Sequence, residues 1–316
     1  MRKVQILKKI SIVTGCYNEE ENILELYDQI VDVFKELGDR YTYEIIVADN
    51  DSTDQTPKIL RELAAKDKNV KVIFNARNFG ANRSGYNALM QAHGDAVVAM
   101  ASDLQTPPYM IKDFVEKWEQ GFKVVMAVKS HSEESPIIYA LRTAYYKTLA
   151  SLSDVKLVSH FTGFGLYDKQ VMDILRNLND PNPYFRGLIS DIGFEPAIIE
   201  FVQPARKYGK SKSNFLNLYE MAMLGITGYT KLPLRLATFI GFITAVISFL
   251  IGVFYLVYKL VFWNSFSLGV APLAIGLFFF ASVQLISLGI IGEYISMIYV
   301  QVLKRPLVYE KERLNF

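Results

Sequence analysis

Ala99-Met100-Ala101-Ser102-Asp103-Leu104-Gln105-Thr106-Pro107-Pro108 reads as an apolar strand that ends in a carboxylate and an amide before two prolines turn the chain aside. Two earlier stretches do the same, since Tyr17-Asn18-Glu19-Glu20 and Asp49-Asn50-Asp51-Ser52-Thr53-Asp54 each follow an apolar run. In a parallel α/β sheet the carboxyl ends of the strands share one edge, so three such loops converge on one site. Outward from them, short apolar runs alternate with helical periodicity, the pattern of a mostly parallel sheet with crossover helices. Strands are expected at 10–14, 43–48, 70–74, 96–100 and 123–128. Ile23, Leu26, Ile30, Phe34 and Leu37 share a helix face that stops at Gly38, and Pro57 opens the next helix.

This α/β unit is expected to fill 1–212, with a nucleotide-sugar half at 10–128 and an acceptor half at 129–212. In the second half the sequence reads as a loop at 130–135, a helix at 139–152, a Gly-rich turn at 162–165 and a helix at 169–178. His93 is expected to end a helix before Gly94, and His131 and His160 lack the spacing of a metal site. The segment 213–231 reads either as a helix lying in a membrane interface or as an ordinary core helix.

Charge is near balance over the 316 residues, at +2, and no Lys/Arg block argues for nucleic acid. The single cysteine, Cys16, excludes an internal disulfide framework. Between Arg235 and Glu293 the only ionised side chain is Lys259. The stretches 236–258 and 268–292 are each beyond the ~20 residues needed to cross the hydrocarbon core, and Lys259 can snorkel to the interface. Basic residues precede and follow the pair, while the link around Trp263-Asn264-Ser265-Phe266-Ser267 has none. The positive-inside rule then places both termini in the cytoplasm, with 294–316 as a cytosolic tail. The start, Met1 to Lys9, lacks the apolar core of a signal peptide.

Asp103 is the expected ligand of Mg²⁺ or Mn²⁺, hard cations that need one or two carboxylates when substrate phosphates complete the shell, and Gln105 faces the same site. Glu19, Glu20, Asp49, Asp51 and Asp54 suit the base and ribose of a nucleotide as hydrogen-bond acceptors. Ser52 and Thr53 read equally as donors or as helix-capping residues.

Ser11 to Asn22, Val47 to Asp54, Asn75-Ala76-Arg77-Asn78-Phe79-Gly80 and Ser102 to Pro108 resemble successive motifs of family-2 glycosyltransferases of the GT-A fold. The polyprenyl-phosphate subgroup is also similar at Tyr184-Phe185-Arg186-Gly187-Leu188-Ile189, at Arg206-Lys207-Tyr208-Gly209-Lys210-Ser211-Lys212 and in the two terminal spans. The resemblance implies inverting transfer from a nucleotide diphosphate sugar, a UDP-sugar foremost, to a polyprenyl phosphate at the cytoplasmic face of the inner membrane. The lipid-linked sugar would serve cell-envelope glycans such as lipopolysaccharide, and members of this kind can form homo-oligomers. It implies donor contacts from Tyr17, Glu19, Glu20, Asp49, Asp51, Ser52, Arg77, Ser102, Asp103 and Gln105, with Asp103 and Arg206 as catalytic groups. Arg186, Arg206, Lys210 and Lys212, with Arg142 a weaker candidate, would hold the acceptor phosphate. The lysines serve equally well to contact anionic headgroups.

The chain departs from the family pattern at four places. Gly15 replaces the usual proline, Asp51 the usual glycine, and Ala101 the first Asp of Asp-x-Asp. Gly163 and Gly165 stand where a Gly-Asp-Phe-Arg-Leu motif has its Asp and Arg, so no general base carries over. A phosphate monoester, with a second pKa near ~6, needs none at neutral pH. Two other enzyme readings fail on motifs: no Gln-x-x-Arg-Trp of processive synthases surrounds Trp118 or Trp263, and no glycine triplet of a dinucleotide site follows the first strand. The alternative from another class is a non-catalytic membrane protein that binds nucleotide sugars through a degenerate site.

Overall fold

The first strand, Lys8–Cys16 (β1), is buried along almost its whole length, the mark of a strand covered on both faces. Ile10 and Ile12 belong to one apolar cluster and Val13 to another, and on β2 (Tyr41–Asp49) Ile45 and Val47 part from Ile46 and Ala48 in the same way. The sheet therefore has two cores. Helices α1 (Ile23–Leu37), α2 (Thr56–Lys66) and α4 (Met110–Glu119) cover one. Helices α3 (Ala81–Met90), α5 (Lys169–Leu178) and α6 (Phe185–Asp191) cover the other. The structure, a computed structural model, describes residues 7–131, 155, 158, 160–208, 215–262 and 270–316.

The remaining strands are β3 (Val70–Asn75), β4 (Ala96–Ala99), β5 (Val124–His131), β6 (Phe161–Asp168), β7 (Ala197–Val202) and β8 (Glu310–Leu314). Their order is β7-β5-β6-β4-β1-β2-β3-β8. The expected strands are all present, and β1, β2, β3 and β4 pair in parallel. Three features differ from the sequence reading. The Gly-rich stretch at 162–165 is not a turn but the middle of β6, antiparallel to both β4 and β5. β7 runs parallel to β5. The terminal segment read as a tail is helical to Leu303 and then forms β8, antiparallel to β3. The helix at 169–178 appears as read, whereas His93 lies beyond the end of α3. The helix expected at 139–152 falls outside the described residues, as do most of the loop at 130–135 and the link around Ser265.

Glu44 on β2 is a buried carboxylate held by Lys9 Nζ at 2.5 Å, Ser11 Oγ at 2.6 Å and Lys71 Nζ at 2.9 Å. Burial alone would raise its pKa, but these three donors hold it down at about 2. Its contribution to stability is therefore complete above the unfolded value near ~4.5 and disappears as the pH falls toward 2. Thermal unfolding in detergent should show Glu44→Gln less stable than wild type by about 2 kcal/mol at pH 7, with the gap closing below pH 4. A gap that stays constant down to pH 3 would show that the ion pairs do not set it.

Beyond β7 the chain enters α7 (Phe215–Tyr229), α8 (Leu232–Val261) and α9 (Val270–Leu303). The last two contain apolar stretches, Leu232–Phe254 and Phe279–Leu303, of membrane-spanning length with none of either buried. α8 begins four residues before the expected span because Pro233 suits the first turn of a helix. α9 continues past Glu293, whose Oε1 accepts from Tyr219 of α7 at 3.2 Å. Tyr294 adds a hydrogen bond to the Thr230 carbonyl at 2.7 Å. α7 thus lies between α9 and the sheet unit, where Gly187 of α6 admits the Tyr229 ring into space that a Cβ would fill.

Candidate active site

Three loops meet at the carboxyl ends of β1, β2 and β4, as their sequences imply. Asn18 N donates to Ser52 Oγ at 2.8 Å, Thr53 N to Asn18 Oδ1 at 2.8 Å, and Gln55 N to Glu20 Oε2 at 2.8 Å. Ser102 Oγ ties the third loop to the Gly15 carbonyl at 3.0 Å. Each loop bends through a residue in left-handed backbone: Asn18 at φ 55°, Asp51 at 65° and Leu104 at 60°. Asn and Asp tolerate that region best among non-glycine residues, which explains how Asp51 can stand where the resemblance leads one to expect glycine.

Asn50 organises the centre. Its backbone N donates to Cys16 O at 3.0 Å, its Oδ1 accepts from Asn75 Nδ2 and Phe79 N, and its Nδ2 donates to Asn78 Oδ1 at 2.8 Å. The sequence reading passed over this asparagine; the signal was the spacing of Asn50, Asn75 and Asn78 at successive strand ends. Asp49 is buried and accepts from Ser52 N at 3.2 Å. Burial pushes its carboxyl above the usual range against the Ser52 hydrogen bonds. Burial, helped by the charges of Asp49 and Glu19, pushes the Cys16 thiol up as well, which fits a packed and unreactive cysteine.

Asp103 accepts from the Gln105 backbone N through Oδ1 at 3.1 Å, which holds the carboxylate in a short turn. Among the described residues no three His, Cys, Asp or Glu side chains gather as a metal cage. The loop itself thus offers one carboxylate, which suits Mg²⁺ or Mn²⁺ only with substrate oxygens in the remaining positions. Ala101 leaves no second carboxylate, and its N and O are both held by Thr106 Oγ1, at 3.0 and 3.2 Å.

Several expected donor-site residues also hold the protein to itself. Glu20 joins the first two loops, and Ser102 fastens the third. Glu19 is buried and forms an ion pair with Arg206, Oε1 to Nη2 at 2.6 Å, while Oε2 accepts from Asn22 at 2.6 Å. The segment 203–208 is in this way strapped across the loops, with Gln105 Nε2 reaching Pro204 O at 3.4 Å and Lys207 pairing with Glu25 at 2.8 Å. The Nε of Arg206 is buried and has no hydrogen-bond partner among the described residues. Arg186, on α6, contacts Met221 Sδ of α7 at 2.7 Å and the Tyr184 ring at 5.3 Å, on the side of the apolar helices. Tyr17 is half-buried in the first loop, and Arg77 is exposed, its guanidinium 4.0 Å from the Phe79 ring centroid. Lys210, Lys212 and Arg142 lie outside the described residues.

Gly163 and Gly165 have structural reasons. A Cβ at Gly165 would fall 2.1 Å from the Val125 carbonyl oxygen of the neighbouring strand, and Gly163 sits at φ 97° in an irregular stretch of that pairing. No side chain at 165 fits this sheet, so the lost motif residues reflect strand packing.

The sequence profile of glycosyl transferase family 2 matches residues 11–174, the segment that builds all three loops. The glycosyltransferase YkcC of Bacillus subtilis is 33% identical over 299 residues, covering 94% of this chain and 91% of its own. A bactoprenol glucosyl transferase of Shigella phage SfII is 35% identical over 299 residues, covering 94% and 96%. Among solved structures, the glucosyl-3-phosphoglycerate synthase of Mycobacterium tuberculosis, in complex with Mn²⁺ and UDP, overlaps 70% of this chain and 78% of its own at 19% identity and a TM-score of 0.45. The two apolar helices make the chain a membrane-associated protein, and its matched loops and full-length relatives show that it is a glycosyltransferase belonging to glycosyl transferase family 2.

Proposed function

We propose that this enzyme transfers a sugar from a UDP-sugar to a polyprenyl phosphate at the cytoplasmic face of the inner membrane, with inversion at the anomeric carbon. One observation carries the acceptor assignment. Both passages between the sheet and the apolar helices leave the edge that holds the donor loops. The strap after β7 pairs with Glu19 of the first loop, and the chain returning from α9 enters β8 beside Asn75, the carboxyl end of β3. A lipid headgroup at the ends of these helices would therefore meet the donor site. The relatives named bactoprenol glucosyl transferases support the same reading.

Sheet membership also favours an even number of crossings, because β1 to β7 precede the apolar helices and β8 follows them in one sheet. With basic residues flanking the pair, that shared side is the cytoplasmic one. In this reading Asp49 and the backbone around Asn50 receive the nucleotide, and Asp103 with Gln105 would hold a divalent cation against the diphosphate. The cation, when bound, stabilises charge on the leaving group. Glu19 orients Arg206 toward the acceptor phosphate, with Arg186 and, from the basic segment that follows, Lys210 and Lys212 as further cations. The acceptor is already an anion, so positioning and charge stabilisation carry the reaction.

The test is mass spectrometry of the lipid fraction after purified protein is incubated with undecaprenyl phosphate and a panel of UDP- and GDP-sugars. A lipid gaining one sugar from a UDP donor is the expected product. Efficient transfer to a soluble sugar or protein, with the lipid unchanged, would overturn the acceptor assignment.

A further inference from the structure

Helix α9 is longer than a membrane is thick. Its 34 residues extend about 51 Å at 1.5 Å each, against a hydrocarbon core of about 30 Å. The charge-free part, 270–292, fills that core, and beyond it Glu293 accepts from Tyr219 while Tyr294 donates to the Thr230 carbonyl. Further on, Gln301 Nε2 donates to Asp180 Oδ1 of the sheet unit at 2.8 Å. The last turns of α9 therefore stand outside the membrane, beside the sheet unit. Tyr294 and Gln301, seven residues apart, mark the face turned to the rest of the chain. Ile295, Ile298 and Val302 mark another, exposed at 58, 61 and 71%. Neighbouring apolar side chains left in water are the sign of a surface that meets a partner.

The exposed stripe continues into the membrane. Counted back from Val302 in alternating steps of four and three residues it comprises Ile298, Ile295, Ile291, Leu288 and Gln284, every one exposed. A repeat of 3.5 residues is the seam of two helices wound about each other. Gln284 is the odd member. It lies eight residues before Gly292, about 12 Å inside the charge-free boundary, too deep for its side chain to reach water. It thus holds a primary amide in the hydrocarbon, and among the described residues that amide forms no hydrogen bond. An amide left so is costly, because lipid tails neither donate nor accept.

We propose that this stripe binds a second copy of itself, α9 against α9, in parallel about a two-fold axis normal to the membrane. All copies cross in the same direction, so the pairing is parallel and each stripe residue meets its own counterpart. Gln284 then lies opposite Gln284, and because a primary amide both donates and accepts, the two satisfy each other. The other five positions are apolar. At about 100 Å² for each such side chain, covering them removes on the order of 1,000 Å² from the two copies together, the area that a specific interface needs. The inference rests on the membrane placement proposed above and is independent of which acceptor receives the sugar.

Cysteine cross-linking of the full chain in lipid vesicles tests the pairing, since Cys16, the single native thiol, is buried. With copper phenanthroline as oxidant, Ile291→Cys, Ile295→Cys, Ile298→Cys and Val302→Cys should each give a disulfide-linked dimer. Leu285→Cys and Ser296→Cys, which lie off the stripe, should not. All six side chains are exposed, so the fold of a single copy tolerates each change. In the Ile298→Cys chain, Gln284→Leu should raise the protein-to-lipid ratio for half-maximal cross-linking about three- to tenfold, the effect of losing one interhelical hydrogen bond. Absence of cross-links on the stripe, equal cross-linking on and off it, or an unchanged ratio in Gln284→Leu overturns the pairing. Sugar transfer by a wild type that shows no pairing would leave the proposed reaction standing and remove only this interface. Failure of the chain to enter vesicles would sink the membrane placement, and the pairing with it.

Discussion

Asp103→Asn should leave a folded, membrane-bound protein whose sugar transfer is reduced at least ~10²-fold. Folding is preserved because the structural duty of this side chain is a hydrogen bond accepted from Gln105 N, and an asparagine Oδ1 accepts it equally well. The negative charge is what disappears. With Ala101 one position short of a second carboxylate, no neighbour in the loop replaces it as a ligand for Mg²⁺ or Mn²⁺. A nucleoside diphosphate would then have to leave with its charge less compensated, and losing several kcal/mol of such stabilisation corresponds to two or more powers of ten in rate. EDTA should reproduce the loss in wild type, and added Mn²⁺ or Mg²⁺ should restore it. Initial rates with radiolabelled donor check both, and activity near wild type in the variant would remove Asp103 from the metal site.

Arg206→Ala should weaken use of the lipid acceptor by roughly ten- to a hundred-fold while the nucleotide-sugar affinity stays close to wild type. The estimate rests on one charge-assisted phosphate contact of ~1.5–3 kcal/mol. Glu19 makes the prediction sharper. Its Oε1 fixes the guanidinium at 2.6 Å, and among the described residues the buried Nε has no partner. Glu19→Gln should therefore impair the acceptor step in the same direction, and the Glu19→Gln/Arg206→Ala double variant should be no worse than Arg206→Ala alone, because residues in one ion pair do not add. The apparent KM for the lipid in nanodiscs, set beside the donor Kd by calorimetry, separates the possibilities. A weakened donor Kd with unchanged lipid dependence would move Arg206 and Glu19 to the nucleotide side.

These two predictions differ in how far the sequence alone reaches them. The strand-end position of Asp103 was legible because its signal is local: an apolar strand, a carboxylate and paired prolines within ten residues. The ion pair of Glu19 was not legible. As part of an acidic loop the residue reads as a nucleotide contact, and only the fold brings it to Arg206, 187 residues away. The hydrogen bond from Arg83 to the Pro306 carbonyl was missed for the same reason, since nothing in the first turn of α3 reveals that Pro306 lies against it.

By itself the sequence determined the parallel half of the sheet, the convergence of three polar loops, and the two apolar helices, because hydrophobic period and turn residues act over one element at a time. Asp51 was visible as a departure from the motif, but its meaning came with φ 65°, a conformation that aspartate can hold. Tertiary structure decided the rest. A glycine-rich run became the interior strand β6, and the Val125 carbonyl leaves no room for a Cβ at Gly165, a constraint written in the neighbouring strand. A charged terminal segment became β8 because β3 offered it an open edge, with Arg61 and Glu312 pairing across 251 residues. Such pairings leave no period in the segments they join, since their stability arises only when distant backbone donors and acceptors meet.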